Sequence, residues 1–254
     1  MTTPEAAGSN IPQQPKLKQL LDHCFELSRI DEGDIIPVGG NKLSGKMTIG
    51  VRADFETLET FFAAVHKYAE EADKEKIRAV IAKEGVEISE ELFAELLAFT
   101  RVWAEQFPAS PRADEEREKL YSDNRGQIAI SEVVRAGVAR CAEIAAMAQA
   151  HLQREGVSST YFAGEVLWVK TQEFGEAHSF IVIRSEGKVW IYDPMNPVRA
   201  GGKVFPGIYS APANFDQEIS AGTKKFVTGK NILTGRKAFY GVGNHRNVSE
   251  KDIL

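Results

Sequence analysis

The pattern of hydrophobic and polar positions divides the chain into a helical first part and a second part that contains strands. Apolar residues recur at helical spacing over residues 55–72. They recur again after Ser89, a favourable N-cap, in a segment that Pro108 ends. A shorter helix is predicted over residues 17–28. Residues 1–16 are rich in Pro, Gln, Ser and Gly, so we expect a disordered tail.

The second part of the chain has a different periodicity. Residues 17–125 are expected to be mainly helical, whereas residues 126–254 should form a core with an irregular C-terminal extension. Another helical pattern ends at Gly156, and the β-branched and aromatic stretch after it predicts a strand. The segment HSFIVIRSEGKVWIYD then predicts a β-hairpin. In the extension, short strand candidates occur only at residues 225–227 and 239–242.

The predicted hairpin begins with a histidine and ends with an aspartate. If its turn is centred on Ser185–Glu186, His178 faces Asp193 directly; if it is centred on Glu186–Gly187, Asp193 faces Phe180 and lies diagonal to His178. In either register the histidine and the aspartate share one face, with Cβ atoms about 5 Å or about 7–8 Å apart. A carboxylate beside an imidazole orients the ring and stabilises its charged form. The pair is therefore typical of a site that serves a nucleophile or a metal.

A cysteine upstream is the best candidate for the nucleophile, because the chain contains no GxSxG sequence. Of the two cysteines, Cys24 falls on the apolar side of a predicted helix. Cys141 follows Gly137, a poor helix former that can interrupt the helical pattern. If a new helix begins near Cys141, the positive end of its dipole favours the thiolate. If the helix instead runs unbroken from Ser131, this effect is lost.

Composition and charge narrow the function classes. The net charge of -5 and the balance of 43% hydrophobic and 26% charged residues indicate an ordinary globular protein without a nucleic-acid footprint. The chain lacks CxxC and HExxH patterns, so we expect no metal and no cofactor. We also expect no membrane span and no classical signal peptide. The expected location is the cytoplasm, or outside the cell after export without such a peptide.

The segment RCAEIAAMAQAHLQREGVSSTYFAGEV followed by EAHSFIVIRSEGKVWIYDPMNP resembles the core of the transglutaminase-like superfamily, within the wider papain-like fold. The resemblance covers residues 138–197. It implies an α+β fold in which a helix carrying the cysteine packs on an antiparallel sheet. The elements that carry it, in chain order, are Cys141, Gly156, His178, Trp190, Asp193 and Pro194.

The resemblance also implies roles for particular residues. Cys141 would be the nucleophile, His178 the general base and acid, and Asp193 the residue that orients the imidazole. The donors to the oxyanion would be the backbone N–H of Cys141 and a side chain, for which Gln127 is the first candidate and Asn124 the second. Three aromatic residues are candidates for the lining of a substrate groove: Trp168, Trp190 and Tyr192.

Three classes of function remain open at this stage. The first is a cysteine hydrolase that acts on protein or peptide amides, as a glutamine deamidase or a protease. The second is an amine acyltransferase such as a protein-glutamine transglutaminase. The third is a non-catalytic papain-like binding module, which the presence of Cys141, His178 and Asp193 disfavours. The organisation of the chain fits a bacterial effector or toxin exported without a leader, and a housekeeping cytosolic enzyme is the alternative.

Overall fold

The structure is a computed structural model, and six stretches of the chain are described by it: residues 25–37, 50–84, 87–123, 127–168, 176–215 and 226–241. The expected disordered tail and Cys24 lie outside these residues. The helix predicted over residues 17–28 is wrong where it can be checked, because Phe25–Leu27 form a strand, β1, that pairs with a strand from the second half of the chain.

Six α-helices occur in the described residues, and they lie mostly in the first half of the chain. Their bounds are α1 Glu59–Glu70, α2 Lys74–Glu84, α3 Glu90–Gln106, α4 Ala113–Asp123, α5 Ile130–Arg135 and α6 Cys141–Arg154. A 3-10 turn, Phe55–Leu58, precedes α1. The predicted N-cap of α3 is confirmed, because Ser89 Oγ accepts a hydrogen bond of 3.2 Å from the backbone N–H of Leu92.

The apolar stripes of α1 and α3 pack against each other, as their helical spacing predicted. Phe61 of α1 meets Phe99 of α3 edge to face, with ring centroids 5.5 Å apart. Phe61 also contacts Trp103, one turn further along α3, and Phe107, which caps that helix. The aromatic residues of α3 therefore form core between helices.

The largest sheet contains seven antiparallel strands in the order β1-β5-β12-β11-β10-β7-β6. In addition to β1, this sheet contains β5 Ser159–Leu167, β6 Glu176–Ser185, β7 Lys188–Tyr192, β10 Ile208–Ala211, β11 Phe226–Asn231 and β12 Lys237–Gly241. Because β5 also pairs with β6, six of these strands close into a barrel, and β1 is an extra strand on β5. One small sheet contains β2 Ile35–Pro37, β3 Gly50–Arg52 and β4 Gln127–Ala129. Another contains β8 Val198–Ala200 and β9 Lys203–Phe205.

The predicted papain-like fold, with a helix packed on an antiparallel sheet, is therefore wrong. The chain has a mixed α+β architecture whose centre is a closed six-stranded antiparallel barrel with one extra strand. The difference arises in the C-terminal region, which was expected to be irregular apart from short strand candidates at residues 225–227 and 239–242. These candidates overlap β11 and β12, whereas β10 was not predicted. The strands β10, β11 and β12 pair in succession from β7 round to β5 and close the barrel.

Side chains that alternate along β6 belong to two different apolar clusters. Phe180 and Val182 belong to a cluster inside the barrel, whereas Ile181 and Ile183 belong to the larger cluster formed with the helices. Because side chains on a strand alternate, His178 has the same phase as Phe180 and lies at the end of the interior face. The helix that begins at Cys141, α6, packs outside the barrel against β5 and β6.

The hairpin of β6 and β7 confirms the prediction of paired strands and selects between the two registers. Ser185 pairs with Lys188, so the turn is centred on Glu186–Gly187. Both turn residues have positive φ, 52° and 73°, as a type I′ turn requires. Asp193 follows the end of β7, where its N–H donates to the carbonyl of Gly207 at 2.8 Å.

Candidate active site

A sharp break before Cys141 makes this residue the first of a new helix. The preceding helix, α5, ends at Arg135, and Gly137 adopts a positive φ of 70°. A Cβ atom at Gly137 would lie 2.9 Å from the carbonyl oxygen of Pro108, so the close approach of this turn also requires glycine. Cys141 then starts α6. The predicted interruption of the helical pattern is confirmed, and the thiol is at the positive end of the helix dipole.

A buried carboxylate stabilises the first turn of α6. Glu143 is fully buried, and its Oε2 accepts a hydrogen bond of 2.9 Å from the backbone N–H of Arg140. Its Oε1 accepts bonds of 2.6 Å from Arg117 Nη2 and from the Tyr121 hydroxyl. Although burial alone would lower the pKa of Arg117, the Glu143 charge and, more weakly, Cys141 raise it. The Arg117–Glu143 ion pair is therefore held beside the start of α6, close to Cys141.

His178 and Asp193 form a buried pair at the end of the hairpin. The imidazole Nε2 lies 2.8 Å from Asp193 Oδ2, and the side chains are 8% and 0% exposed. The Cys141 thiol lies near the same imidazole and contributes to the rise in its pKa. Since Nε2 faces the carboxylate, Nδ1 is the ring nitrogen available to the thiol. The structure thus brings together the three residues that the resemblance named as catalytic.

The charge state of His178 follows from this arrangement. Burial disfavours the imidazolium, but the charge and hydrogen bond of Asp193, followed by the contact with Cys141, raise the pKa of His178 from 6.5 to about 10. The imidazole is therefore protonated at neutral pH. In cysteine enzymes, an imidazolium next to the sulfur stabilises the thiolate form of the nucleophile through its charge.

Two residues that the sequence analysis missed hold Asp193 in place. Asn196 Nδ2 donates to Oδ1 and Oδ2 of Asp193 at 3.1 and 3.0 Å, and its backbone N–H donates to the Asp193 carbonyl. The Tyr240 hydroxyl, from β12, donates to Oδ2 at 3.1 Å. The Asp-Pro-Met-Asn sequence is typical of a β-turn and was a usable signal for Asn196. No local pattern indicated Tyr240, whose contact depends on closure of the barrel.

The aromatic residues suggested for a substrate groove have different positions. The Trp168 ring lies 6.1 Å from the His178 ring in an edge-to-face arrangement, and its Nε1 donates to Glu176. Trp190 is 5% exposed and Tyr192 is fully buried, with its hydroxyl bonded to Thr100. Both side chains are therefore part of the core, where Tyr192 contacts Phe99 and Thr100 of α3. Of the three aromatic residues, Trp168 is the one whose ring lies beside His178.

The two side-chain candidates for an oxyanion donor are not placed by the structure. Asn124 lies outside the described residues. Gln127 is the first residue of β4, and its backbone pairs with Gly50, but its side chain is not described. The backbone N–H of Cys141 remains a donor, because the first N–H groups of a helix have no acceptor within the helix.

A cavity of about 400 Å³ adjoins the segments that carry Cys141 and Asp193. Ala139 and Arg140 contribute to its wall immediately before Cys141, and Pro194 and Asn196 immediately after Asp193. The opposite wall comes from the last turns of α3 and includes Trp103 and Phe107. The cavity therefore combines apolar and polar surface and includes the basic side chains of Arg140 and Arg199, a lining suited to part of a peptide.

Comparison of the chain with protein-family models, with curated proteins and with solved structures finds no match in any of the three. Among the helices in the described part of the chain, none combines the length and the apolar character needed to cross a membrane.

Proposed function

We propose that this protein is a cysteine-dependent hydrolase of protein or peptide amides, in which Cys141, His178 and Asp193 form a catalytic triad. The observation that carries the proposal is the arrangement around His178. Its imidazole is shared between a buried carboxylate at 2.8 Å and the Cys141 thiol at the start of α6. A nucleophile, a base in contact with it and a third group that orients the base are the parts that such chemistry requires.

The reaction begins with attack of the Cys141 thiolate on the carbonyl carbon of the amide. A sulfur–carbon bond forms and the carbonyl electron pair moves to oxygen, where the Cys141 N–H stabilises the negative charge. The His178 imidazolium gives its proton to the amide nitrogen as the carbon–nitrogen bond breaks, which releases ammonia or an amine. Neutral His178 then takes a proton from water, whose oxygen displaces the thiolate from the thioester and yields a carboxylic acid.

The surroundings of Cys141 support a substrate presented by a polypeptide. The adjoining cavity has an apolar wall formed by α3, with Arg140 at its edge. Trp168 adds a large aromatic surface next to His178. Apolar and aromatic surfaces bind the part of a chain that flanks a reacting amide and hold its carbonyl near the nucleophile.

The test is incubation of the full-length protein with a glutamine-rich protein such as casein, followed by mass spectrometry and an ammonia assay. A deamidase adds about one dalton at each modified glutamine and releases ammonia, because an amide becomes an acid. A protease produces new peptide termini instead. Cys141→Ala should abolish either product, whereas the matched variant Cys24→Ala should retain it.

The same experiment separates the other classes of function. Crosslinking or incorporation of an added primary amine, with less hydrolysis, would replace the hydrolase proposal with an amine acyltransferase. Absence of every product with casein and with a peptide library, or equal activity in wild type and Cys141→Ala, would refute the catalytic assignment.

A further inference from the structure

Three potential metal ligands from two helices meet at the end of α6 opposite Cys141. They are Glu95 on α3, His151 on the last turn of α6 and Glu155, which caps that helix. One ligand atom from each residue lies within 4.8 Å of the other two. His151 is ten residues beyond Cys141, so a rise of about 1.5 Å per residue places the cluster roughly 15 Å along the helix axis from the thiol.

The cluster is sheltered and ordered by its own contacts. The His151 side chain is 1% exposed, and its Nε2 lies 2.9 Å from Glu95 Oε2. Glu155 is four residues after His151 and therefore on the same face of α6. His66 of α1 adds a second imidazole, whose Nδ1 lies 3.2 Å from Glu155 Oε1. The carboxylates of Glu95 and Glu155 are 19% and 23% exposed, so water can reach them.

The two carboxylates of the cluster have no lysine or arginine among their described partners. Glu95 and Glu155 bring two negative charges close together, and their described partners are the imidazoles of His151 and His66. Arg154, the nearest arginine in sequence, is paired with Glu59. A divalent cation would neutralise the two carboxylates and accept a lone pair from neutral His151.

We propose that Glu95, His151 and Glu155 bind a divalent transition-metal ion, with Zn²⁺ as the best fit. Imidazole nitrogen and carboxylate oxygen are both zinc ligands, at about 2.0–2.2 Å, whereas Ca²⁺ and Mg²⁺ prefer sites made of oxygen alone. His66 holds Glu155 in position through its hydrogen bond, and the fourth coordination position is open to water. The ion would join α3 to α6 and so stabilise the helix that carries Cys141.

The site was not readable from the sequence. Glu95 and His151 are 56 positions apart in the chain. The spacing of His151 and Glu155 on one helical face is also common without a metal. The packing of α3 against α6 supplies the third ligand.

The test uses full-length protein treated with EDTA, in a Cys141→Ser background so that zinc cannot be held by the thiolate. Isothermal titration with ZnCl₂ at about pH 7.5 should give one zinc ion per chain, together with a rise in melting temperature. Glu95→Gln and Glu155→Gln should each weaken zinc binding at least tenfold, roughly the minimum expected when a metal-supporting group is lost. Glu105→Gln, the same change at an exposed position on α3, should leave the affinity unchanged.

Cobalt provides a second measurement, which reports the type of ligand atom directly. Co²⁺ bound to the Cys141→Ser protein should show d–d absorption without a thiolate-to-cobalt charge-transfer band, because the ligands are nitrogen and oxygen. Failure of zinc to bind or stabilise this protein would overturn the proposal, as would equal zinc affinity in Glu95→Gln, Glu155→Gln and Glu105→Gln. The cluster would then be an ion-pair network between α3 and α6. Either outcome leaves the proposed hydrolase activity of Cys141 unaffected.

Discussion

Replacing Asp193 with asparagine removes the negative charge beside His178 and keeps nearly the same shape. The rise in the pKa of His178 from 6.5 to about 10 corresponds to roughly 5 kcal/mol in favour of the imidazolium, and Asp193 is its principal source. Burial remains in the variant and lowers the pKa of an imidazole. We therefore expect His178 in Asp193→Asn to be neutral at pH 7, with the thiolate–imidazolium pair lost.

The assay is NMR titration of protein labelled at the histidine rings, with His178→Gln used to assign the resonance. In the wild type the His178 ring should remain protonated through about pH 9, whereas in Asp193→Asn it should lose its proton below about pH 7. Turnover of the amide substrate should fall by about 10²–10⁴, the usual contribution of a positioned acid–base group. A ring that stays protonated at about pH 8 in the variant would refute this account of the His178 charge state.

The same substitution should change stability in a pH-dependent way. A group whose pKa is raised on folding contributes stability that is fully present below its unfolded pKa and is lost as pH rises through the folded value. For His178 these limits are 6.5 and about 10. The difference in unfolding free energy between wild type and Asp193→Asn should therefore be largest near pH 6 and shrink towards pH 10. Urea unfolding at both ends of this range measures it, and a difference that grows with pH would contradict the assignment.

Three further substitutions test the support of the site. Tyr240→Phe removes one hydrogen-bond donor from the buried Asp193 carboxylate. It should lower the free energy of unfolding by about 1.5–3 kcal/mol in urea titrations and should also lower kcat. Unchanged values for both quantities would exclude a positioning role for Tyr240. Gly137→Ala places a Cβ atom on a residue with positive φ and within 2.9 Å of the Pro108 carbonyl oxygen. It should lower the free energy of unfolding by about 1–3 kcal/mol in thermal unfolding. Gly156→Ala, where the Cβ position is open, should lower it by less. Glu143→Gln leaves the partly buried Arg117 charge, 15% exposed, without its carboxylate and should cost about 3 kcal/mol in urea titrations; a loss near zero would mean that water compensates this charge.

Several features of the site were predictable because they depend on residues close together in the chain. The hairpin brings His178 and Asp193 to one face because strand side chains alternate, and this holds in either register. The break at Gly137 was indicated by a single poor helix former, and it places Cys141 at the start of α6. Asn196 was predictable for the same reason, because it lies in the turn that directly follows Asp193.

The architecture was not predictable in the same way. The strands β10, β11 and β12 are short, and β11 and β12 carry Gly and Lys that weaken the alternation by which strands are recognised. Their partners lie far away in the chain: β12 pairs with β5 and β10 with β7. Trp190 and Tyr192 illustrate the same limit, because only their burial in the folded chain shows that they are core.

The sequence by itself determined the residues that can carry chemistry and the local geometry that aligns two of them, since helix starts, turns and strand phase depend on neighbouring residues. The tertiary structure decided which distant groups complete each site. Barrel closure brings Tyr240 to Asp193, and helix packing brings Glu95 to His151. Such contacts depend on which apolar surfaces bury each other, and many distant pairs of elements have similar apolar patterns.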